Sequence, residues 1–338
     1  MSDPVWKNRY KPPQASLWKG RQDSEIKERF FEKIIFSDLS KVSLEQSSAQ
    51  TYGFVGFASD EGIKRNLGRK GAFKGPEAIR KALANFPLHH LEKASFIDVG
   101  DILCEDENLE EAQQALGEIV SDLLSKHIFP VVLGGGHEIS WGMHQGIVAA
   151  QPNNPVAVIN FDAHLDLRPL LKGVLGSSGT SFLQIAKSYE ARGLEFEYVC
   201  LGLQQTGNTK SLLDVAHQQG SRVIFAEDFF AHGPQKSLEL IREITHKKAA
   251  IHLTICMDVF AAAFAPGVSS PQVLGLFPWH VMLCLKELAH SGRVVGFDIA
   301  ELSPPLDTQD MTAKLAASLV AHFLYEHFQQ NDTTSLTP

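Results

Sequence analysis

Asp162, His164 and Asp166 stand at alternating positions in the segment Asp162-Ala163-His164-Leu165-Asp166. In extended backbone, alternate side chains point to one side. Two carboxylates and an imidazole on one side are costly to bury unpaired, because desolvation penalises a charge. A divalent cation supplies the missing partner, so the segment predicts a metal site and, with it, an enzyme. Three other segments bring similar groups. Leu133-Gly134-Gly135-Gly136-His137-Glu138 closes an apolar run and offers His137; its glycines predict a tight turn. Thr254-Ile255-Cys256-Met257-Asp258 offers Cys256 and Asp258, and Phe297-Asp298-Ile299-Ala300-Glu301 offers Glu301. A donor set rich in oxygen, with two imidazoles, favours manganese or a similar divalent ion over a structural zinc. The carboxylates are numerous enough to bridge two ions, and a two-metal site can hold a bridging hydroxide as nucleophile.

These donors need a scaffold that delivers them to one place. Eight short apolar runs read as strands: 52–57, 95–99, 130–133, 156–161, 198–203, 222–225, 251–257 and 294–299. Helix-like segments separate most of them, at 75–86, 107–126, 140–150, 180–192, 209–219, 237–247, 278–291 and 310–328. Gly75-Pro76 is a helix-start signal. Alternation of strand and helix predicts an α/β fold: one three-layer α/β/α domain around an eight-stranded, mostly parallel sheet. Open sheets of this kind bind ligands beyond the carboxyl ends of their strands, where the four donor segments fall. Residues 1–50 read as an arm packed on the domain, 51–328 as the domain itself and 329–338 as a polar, flexible tail. Trp141, Trp279, Phe229, Phe230 and Phe260 read as packing residues, and His89-His90 as loop.

Composition narrows the function class. The chain has 338 residues, 44% hydrophobic, which suffices for a large core. With 31 Lys and Arg against 39 Asp and Glu, the net charge of -8 argues against nucleic acid as a partner. No apolar run approaches a membrane span, and the first residues lack the apolar core of a signal peptide. Cys104, Cys200, Cys256 and Cys284 follow no zinc or disulfide spacing, so reduced thiols in a cytoplasmic protein are expected.

Taken together, the Gly-Gly-Gly-His-Glu, Asp-Ala-His-Leu-Asp and Cys-Met-Asp segments resemble the arginase–agmatinase superfamily, the ureohydrolases, in their order along the chain. Gly71-Ala72-Phe73-Lys74-Gly75-Pro76-Glu77-Ala78-Ile79-Arg80 is similar to the superfamily's N-terminal helix signature. Within it, the likeness is closest to the branch that hydrolyses N-formimidoyl-L-glutamate to L-glutamate and formamide in histidine degradation. Trp18-Lys19-Gly20-Arg21-Gln22-Asp23 carries that likeness, as do Ser59-Asp60-Glu61-Gly62 and Arg65-Asn66-Leu67-Gly68-Arg69. Asp166-Leu167-Arg168, Ser177-Ser178-Gly179-Thr180 and Ala265-Pro266-Gly267-Val268-Ser269 add to it. The likeness runs from about Trp18 to about Phe328.

The resemblance implies two Mn2+ ions per subunit, one held by His137, Asp162 and Asp166 and the other by Asp162, His164 and Asp258. A second bridging aspartate belongs at position 256, where this chain has Cys256. Three readings of Cys256 stand at this point. A thiolate beside two cations can ligate, shifting preference toward zinc or iron. The site can hold one ion only, with weakened activity. Or it binds little metal, and the chain is a catalytically silent relative.

The same resemblance assigns roles. Asp166 would ligate and shuttle a proton to the leaving nitrogen. Glu301 would hold the cationic amidine. Arg168, Arg65 and Arg69 are candidates for the substrate carboxylates, and Thr180 for a hydroxyl contact. Arginases place a histidine where Phe182 sits, which speaks against arginine as substrate. Another guanidino substrate, of the agmatinase or guanidinobutyrase type, is the first alternative. The expected partner is a small amidine, and relatives of this fold often form homo-oligomers.

Overall fold

A computed structural model describes residues 4–334 apart from positions 24, 48 and 248. Ten strands form one sheet: β1 Tyr10–Lys11, β2 Ile34–Phe36, β3 Thr51–Ser59, β4 Ser95–Cys104, β5 Ile128–Leu133, β6 Val156–Phe161, β7 Tyr198–Leu203, β8 Arg222–Phe225, β9 Ala250–Cys256 and β10 Val294–Ala300. The helices are α1 Glu61–Arg65, α2 Gly75–Ala84, α3 Leu109–Ser125, α4 Ile139–Ala150, α5 Ser181–Ala191, α6 Lys210–Gln218, α7 Ala226–His232, α8 Gln235–His246, α9 Pro278–His290 and α10 Met311–Thr334.

The strand order is β1-β4-β3-β5-β10-β9-β6-β7-β8, with β2 also on β4. Every pairing is parallel except β1 with β4. Strands β3, β5, β6 and β7 are buried along their whole length, which explains their continuous apolar runs. One core cluster lies under α2, α8, α9 and α10, and the others lie under α3 and α4 and under α5 and α6. Helices thus cover both faces, giving the expected three-layer α/β/α arrangement.

The sheet has ten strands, two more than the sequence predicts. Both extra strands come from the N-terminal arm and share the outer edge of β4: Ile34–Phe36 along Phe96–Asp98 and Tyr10–Lys11 along Asp101–Ile102. The arm is therefore part of the sheet as well as packed on it. A buried ion cluster fastens it. Arg80 on α2 donates to both oxygens of Asp98 at 2.9 Å and to Asp101 at 2.6 Å, and Trp18 Nε1 donates to Asp98 at 2.7 Å. At the other end, α10 continues to Thr334, so the boundary expected at Phe328 falls inside a helix. Residues 335–338 of the expected tail lie outside the described residues.

Two packing assignments also change. Phe229 is buried, but Phe230 is 94% exposed and Trp279 62% exposed. Among the described residues, no helix is long and apolar enough to cross a membrane.

Candidate metal centre

The four central neighbours β5, β10, β9 and β6 supply the site. Their register is level: Leu133 pairs Ile299, Ile299 pairs Ile255, and Ile255 pairs Phe161. The residues that follow each strand therefore emerge side by side at one edge of the sheet. His137 follows β5, Glu301 follows β10, Cys256 and Asp258 lie at the end of β9, and Asp162 to Asp166 follow β6.

The glycines before His137 act by closeness rather than by a left-handed turn, for none of Gly134, Gly135 and Gly136 has positive φ. A Cβ on Gly135 would stand 2.7 Å from the carbonyls of Phe57 and Ser59. The chain therefore passes against its neighbours with no room for a side chain.

His137 Nδ1 lies 2.9 Å from Asp162 Oδ2 and 3.0 Å from Asp166 Oδ2. His164 Nδ1 lies 3.1 Å from Asp258 Oδ2 and 3.6 Å from Asp162 Oδ1. Two donor groups result: His137, Asp162 and Cys256, and Asp162, His164 and Asp258, each with ligand atoms within 4.8 Å of one another. They share Asp162. Buried His137 Nδ1 and Asp258 Oδ1 have no hydrogen-bond partner. One such orphaned ligand atom in each group fits divalent cations.

Local contacts set the ligands. The backbone N–H of His164 donates to Asp162 Oδ1 at 2.8 Å, and Asn160 Nδ2 donates to Oδ2 at 3.1 Å. Asn208 clamps the segment, accepting from Leu165 N at 3.0 Å and donating to Ala163 O at 2.9 Å. The backbone does not stay extended through the motif: Asp166 has φ 48, which turns its carboxylate back toward His137. Glu301 has φ 71, and its Oε1 accepts from the His137 backbone N–H at 2.9 Å. Left-handed backbone at two non-glycine residues of one cavity is the strain that functional sites retain.

The electrostatics follow from burial and crowding. Burial and the nearby Asp162 charge push Asp166 up to about 6. Burial works against the charged form of Asp162, but the nearby His137 and His164 imidazoles outweigh it and hold this carboxylate below the usual range. Burial, then Asp258 and Glu138, pushes Glu301 well up. Burial and the surrounding carboxylates push the Cys256 thiol well up, so it needs a cation to ionise.

The cavity above these donors has a volume of about 320 Å³. It is lined by His137, Asp162, His164, Asp166, Cys256, Asp258 and Glu301, and by Arg69 and Arg168. Arg168 is exposed, and among the described residues no carboxylate pairs with its guanidinium. Arg69 uses Nε and Nη2 on the carbonyls of Ser269 and Val268, at 3.0 and 2.9 Å. Arg65 and Thr180 stand apart from the lining. Arg65 binds Glu61, Glu110 and Gly176 O, contacts that tie α1 to α3. Thr180 Oγ1 accepts from Ser177 N and donates to Ser177 O, closing a turn. Phe182 is fully buried, edge-on to His137 and stacked on Tyr198, so it also makes no cavity wall.

Sequence reasoning missed Asn66, Ser178, Asn208 and Ser270, which also line the cavity. Asn66 and Ser178 are joined by a 3.2 Å hydrogen bond. Asn66 and Ser178 sit inside segments already singled out, but their polar, uncharged side chains carry no signal of chemistry on their own.

A parallel sheet with two metal-ligand groups at its carboxyl edge defines a metallohydrolase-type architecture. A family model for the arginase family matches residues 50–325, and the chain belongs to that family. It is 45% identical over 315 residues to a formimidoylglutamase of Legionella pneumophila (strain Lens), covering 93% of this chain and 97% of the relative. It is 40% identical over 321 residues to a formimidoylglutamase of Clostridium tetani, covering 92% and 94%. A crystal structure of Trypanosoma cruzi formiminoglutamase with Mn2+ superposes with a TM-score of 0.71 at 26% identity, over 82% of this chain and 93% of that one.

Proposed function

We propose that this chain hydrolyses N-formimidoyl-L-glutamate to L-glutamate and formamide at a centre holding two Mn2+ ions. The observation that carries the reading is the pair of donor groups meeting at Asp162, in a chain so similar to formimidoylglutamases. His137, Asp162, Asp166 and Cys256 would hold one ion, and Asp162, His164 and Asp258 the other. Two divalent cations, when bound, supply an activated water nucleophile at neutral pH.

The chain's own residues do the rest. Arg168 takes a substrate carboxylate as a two-pronged fork, and Nη1 of Arg69 takes part of the other. Asn66 and Ser178 add uncharged donors at the cavity wall. These contacts set the amidine carbon over the donor groups. The cationic amidine favours the ionised form of Glu301, which holds it by a charge-assisted hydrogen bond. Water adds to that carbon and loses a proton to Asp166, which delivers it to the glutamate nitrogen as the carbon–nitrogen bond breaks. Formamide and glutamate leave.

The test is an assay of purified protein on formimidoylglutamate, arginine, agmatine and guanidinobutyrate. Turnover of formimidoylglutamate alone supports the reading; turnover of arginine without it overturns the substrate.

A second reading rests on Cys256. A neutral buried thiol in place of a bridging carboxylate weakens the hold on one ion, leaving a silent relative. No metal and no turnover, both restored by Cys256→Asp, would establish it. The four free, buried cysteines support a reducing, cytoplasmic setting. Exposed Phe230, Val273 and Leu274, which line one cavity, support self-association.

A further inference from the structure

Behind His137 a chain of buried polar groups runs into the sheet, away from the cavity. His137 Nε2 lies 2.9 Å from Thr254 Oγ1. Thr254 Oγ1 donates to Asp298 Oδ1 at 2.6 Å, and Ser140 Oγ donates to the same oxygen at 3.0 Å. The other oxygen, Asp298 Oδ2, takes His252 Nε2. His252 Nδ1 lies 3.3 Å from His144 Nδ1. Asp298 and Thr254 are register partners on β10 and β9. His252, Thr254 and Cys256 alternate along β9 and so share one face. Every member of the chain is buried.

The proton positions follow from what each group can offer. A hydroxyl has one hydrogen, and an ionised carboxylate only accepts. Thr254 gives its hydrogen to Asp298, so it presents a lone pair to His137. Nε2 of His137 must then carry the imidazole hydrogen. Once the ring is neutral, that leaves the lone pair on Nδ1, the atom facing Asp162 and Asp166. On the far side, His252 Nε2 donates to Asp298, and its Nδ1 accepts from His144. Burial holds His144 well below the ordinary imidazole range, and its Nε2 has no partner, as the end of a one-way chain requires.

We infer that Thr254 and Asp298 are positioning residues that hold His137 in the tautomer able to ligate a cation through Nδ1. The inference rests on the metal-centre reading and is independent of the substrate. A carboxylate behind a ligating imidazole fixes its ring and raises its basicity, and loss of such a partner costs 10–100-fold in metal affinity. Here the hydroxyl of Thr254 relays that effect from Asp298 to His137. Valine would fill the same volume at position 254, so packing alone does not demand threonine.

The test is Mn2+ titration of the metal-stripped full chain, without substrate. Thr254→Val should weaken the tighter-affected site by about 10–100-fold, while Thr254→Ser should restore it. Asp298→Asn keeps the acceptor toward Thr254 but removes the charge, so it should give a smaller loss. Imidazole 15N shifts of the stripped protein, recorded above the pH at which His137 loses its imidazolium proton and with His137 assigned by its absence in His137→Gln, read the tautomer directly. The wild type should show Nε2–H alone, and Thr254→Val a mixture. Mn2+ affinity and His137 tautomer unchanged in Thr254→Val overturn the inference. If that variant does not fold, wild-type affinity in Asp298→Asn overturns it. Tight Mn2+ binding by a wild type that ignores formimidoylglutamate would sink the substrate reading and leave this one intact.

Discussion

Cys256 and Asp162 offer ligand atoms within 4.8 Å of one another, across the paired strands β9 and β6. A thiol thus stands beside the carboxylate shared by both donor groups. Sulfur is the softer donor and draws the site toward zinc or iron, whereas oxygen favours manganese. Cys256→Asp should raise Mn2+ affinity by at least about tenfold, the low end of what even an outer-shell partner contributes. Stripped protein equilibrated with equal Zn2+ and Mn2+ checks this by elemental analysis. The wild type should retain relatively more zinc than the variant; equal ratios would contradict the role of the thiol.

Proton competition follows from the charges around the imidazoles. Burial acts to lower His137, but Asp162 and Asp166 win and hold it well above the ordinary imidazole value. Burial likewise opposes Asp258 and Asp162 at His164, with the same outcome. In the metal-free protein these raised groups contribute stability fully below the unfolded imidazole value of 6.5, and lose it as pH rises through their folded values. A cation must displace both protons, so Mn2+ affinity should rise with pH as the metal-free fold loses this contribution. Calorimetry in two buffers of different ionisation heat should detect proton release at neutral pH. Binding without it would contradict the assignment.

Variants of Arg168 and Arg65 would separate substrate binding from structure. Charge-assisted hydrogen bonds contribute about 1.5–3 kcal/mol, so Arg168→Ala should raise KM for formimidoylglutamate about 10–100-fold, with a smaller change in kcat. Arg65→Met should leave KM alone and lower the melting temperature, because its head binds Glu61 and Glu110. Steady-state kinetics and thermal melts on both variants decide the matter. A KM defect in Arg65→Met would return that residue to the substrate.

Arg80 anchors the arm to the sheet. Removing it leaves Asp98 buried without its cation, and breaking a buried pair costs about 3–5 kcal/mol. Arg80→Met should lose stability of that order in urea unfolding and expose Trp18, whose indole also rests on Asp98. A loss below about 1 kcal/mol, the range of exposed pairs, would mean that the cluster does not fasten the arm.

The central strands were legible because burial on both faces demands continuous apolar runs, as in Val156–Phe161. Strands β1 and β2 were not, since Tyr10–Lys11 and Ile34–Phe36 are short, partly exposed and formed only by distant pairing with β4. The six ligand candidates announced themselves because imidazole, carboxylate and thiol groups at strand ends are unusual. The contacts of Arg65 with Glu110 and Gly176 were not legible, because those partners come from segments whose approach no local pattern encodes. Thr254 and Asp298 passed as strand polarity; only register shows them to be neighbours. Phe230 and Trp279 carry the apolar signal of a core and face outward instead.

The central claim is a two-metal centre that hydrolyses formimidoylglutamate. The most direct measurement pairs metal content with turnover on one preparation of full-length protein reconstituted with Mn2+. The expected result is two Mn2+ per chain, with glutamate and formamide released in equal amounts and arginine untouched. Two bound ions with arginine hydrolysis and no formamide, or no bound metal at all, would contradict it.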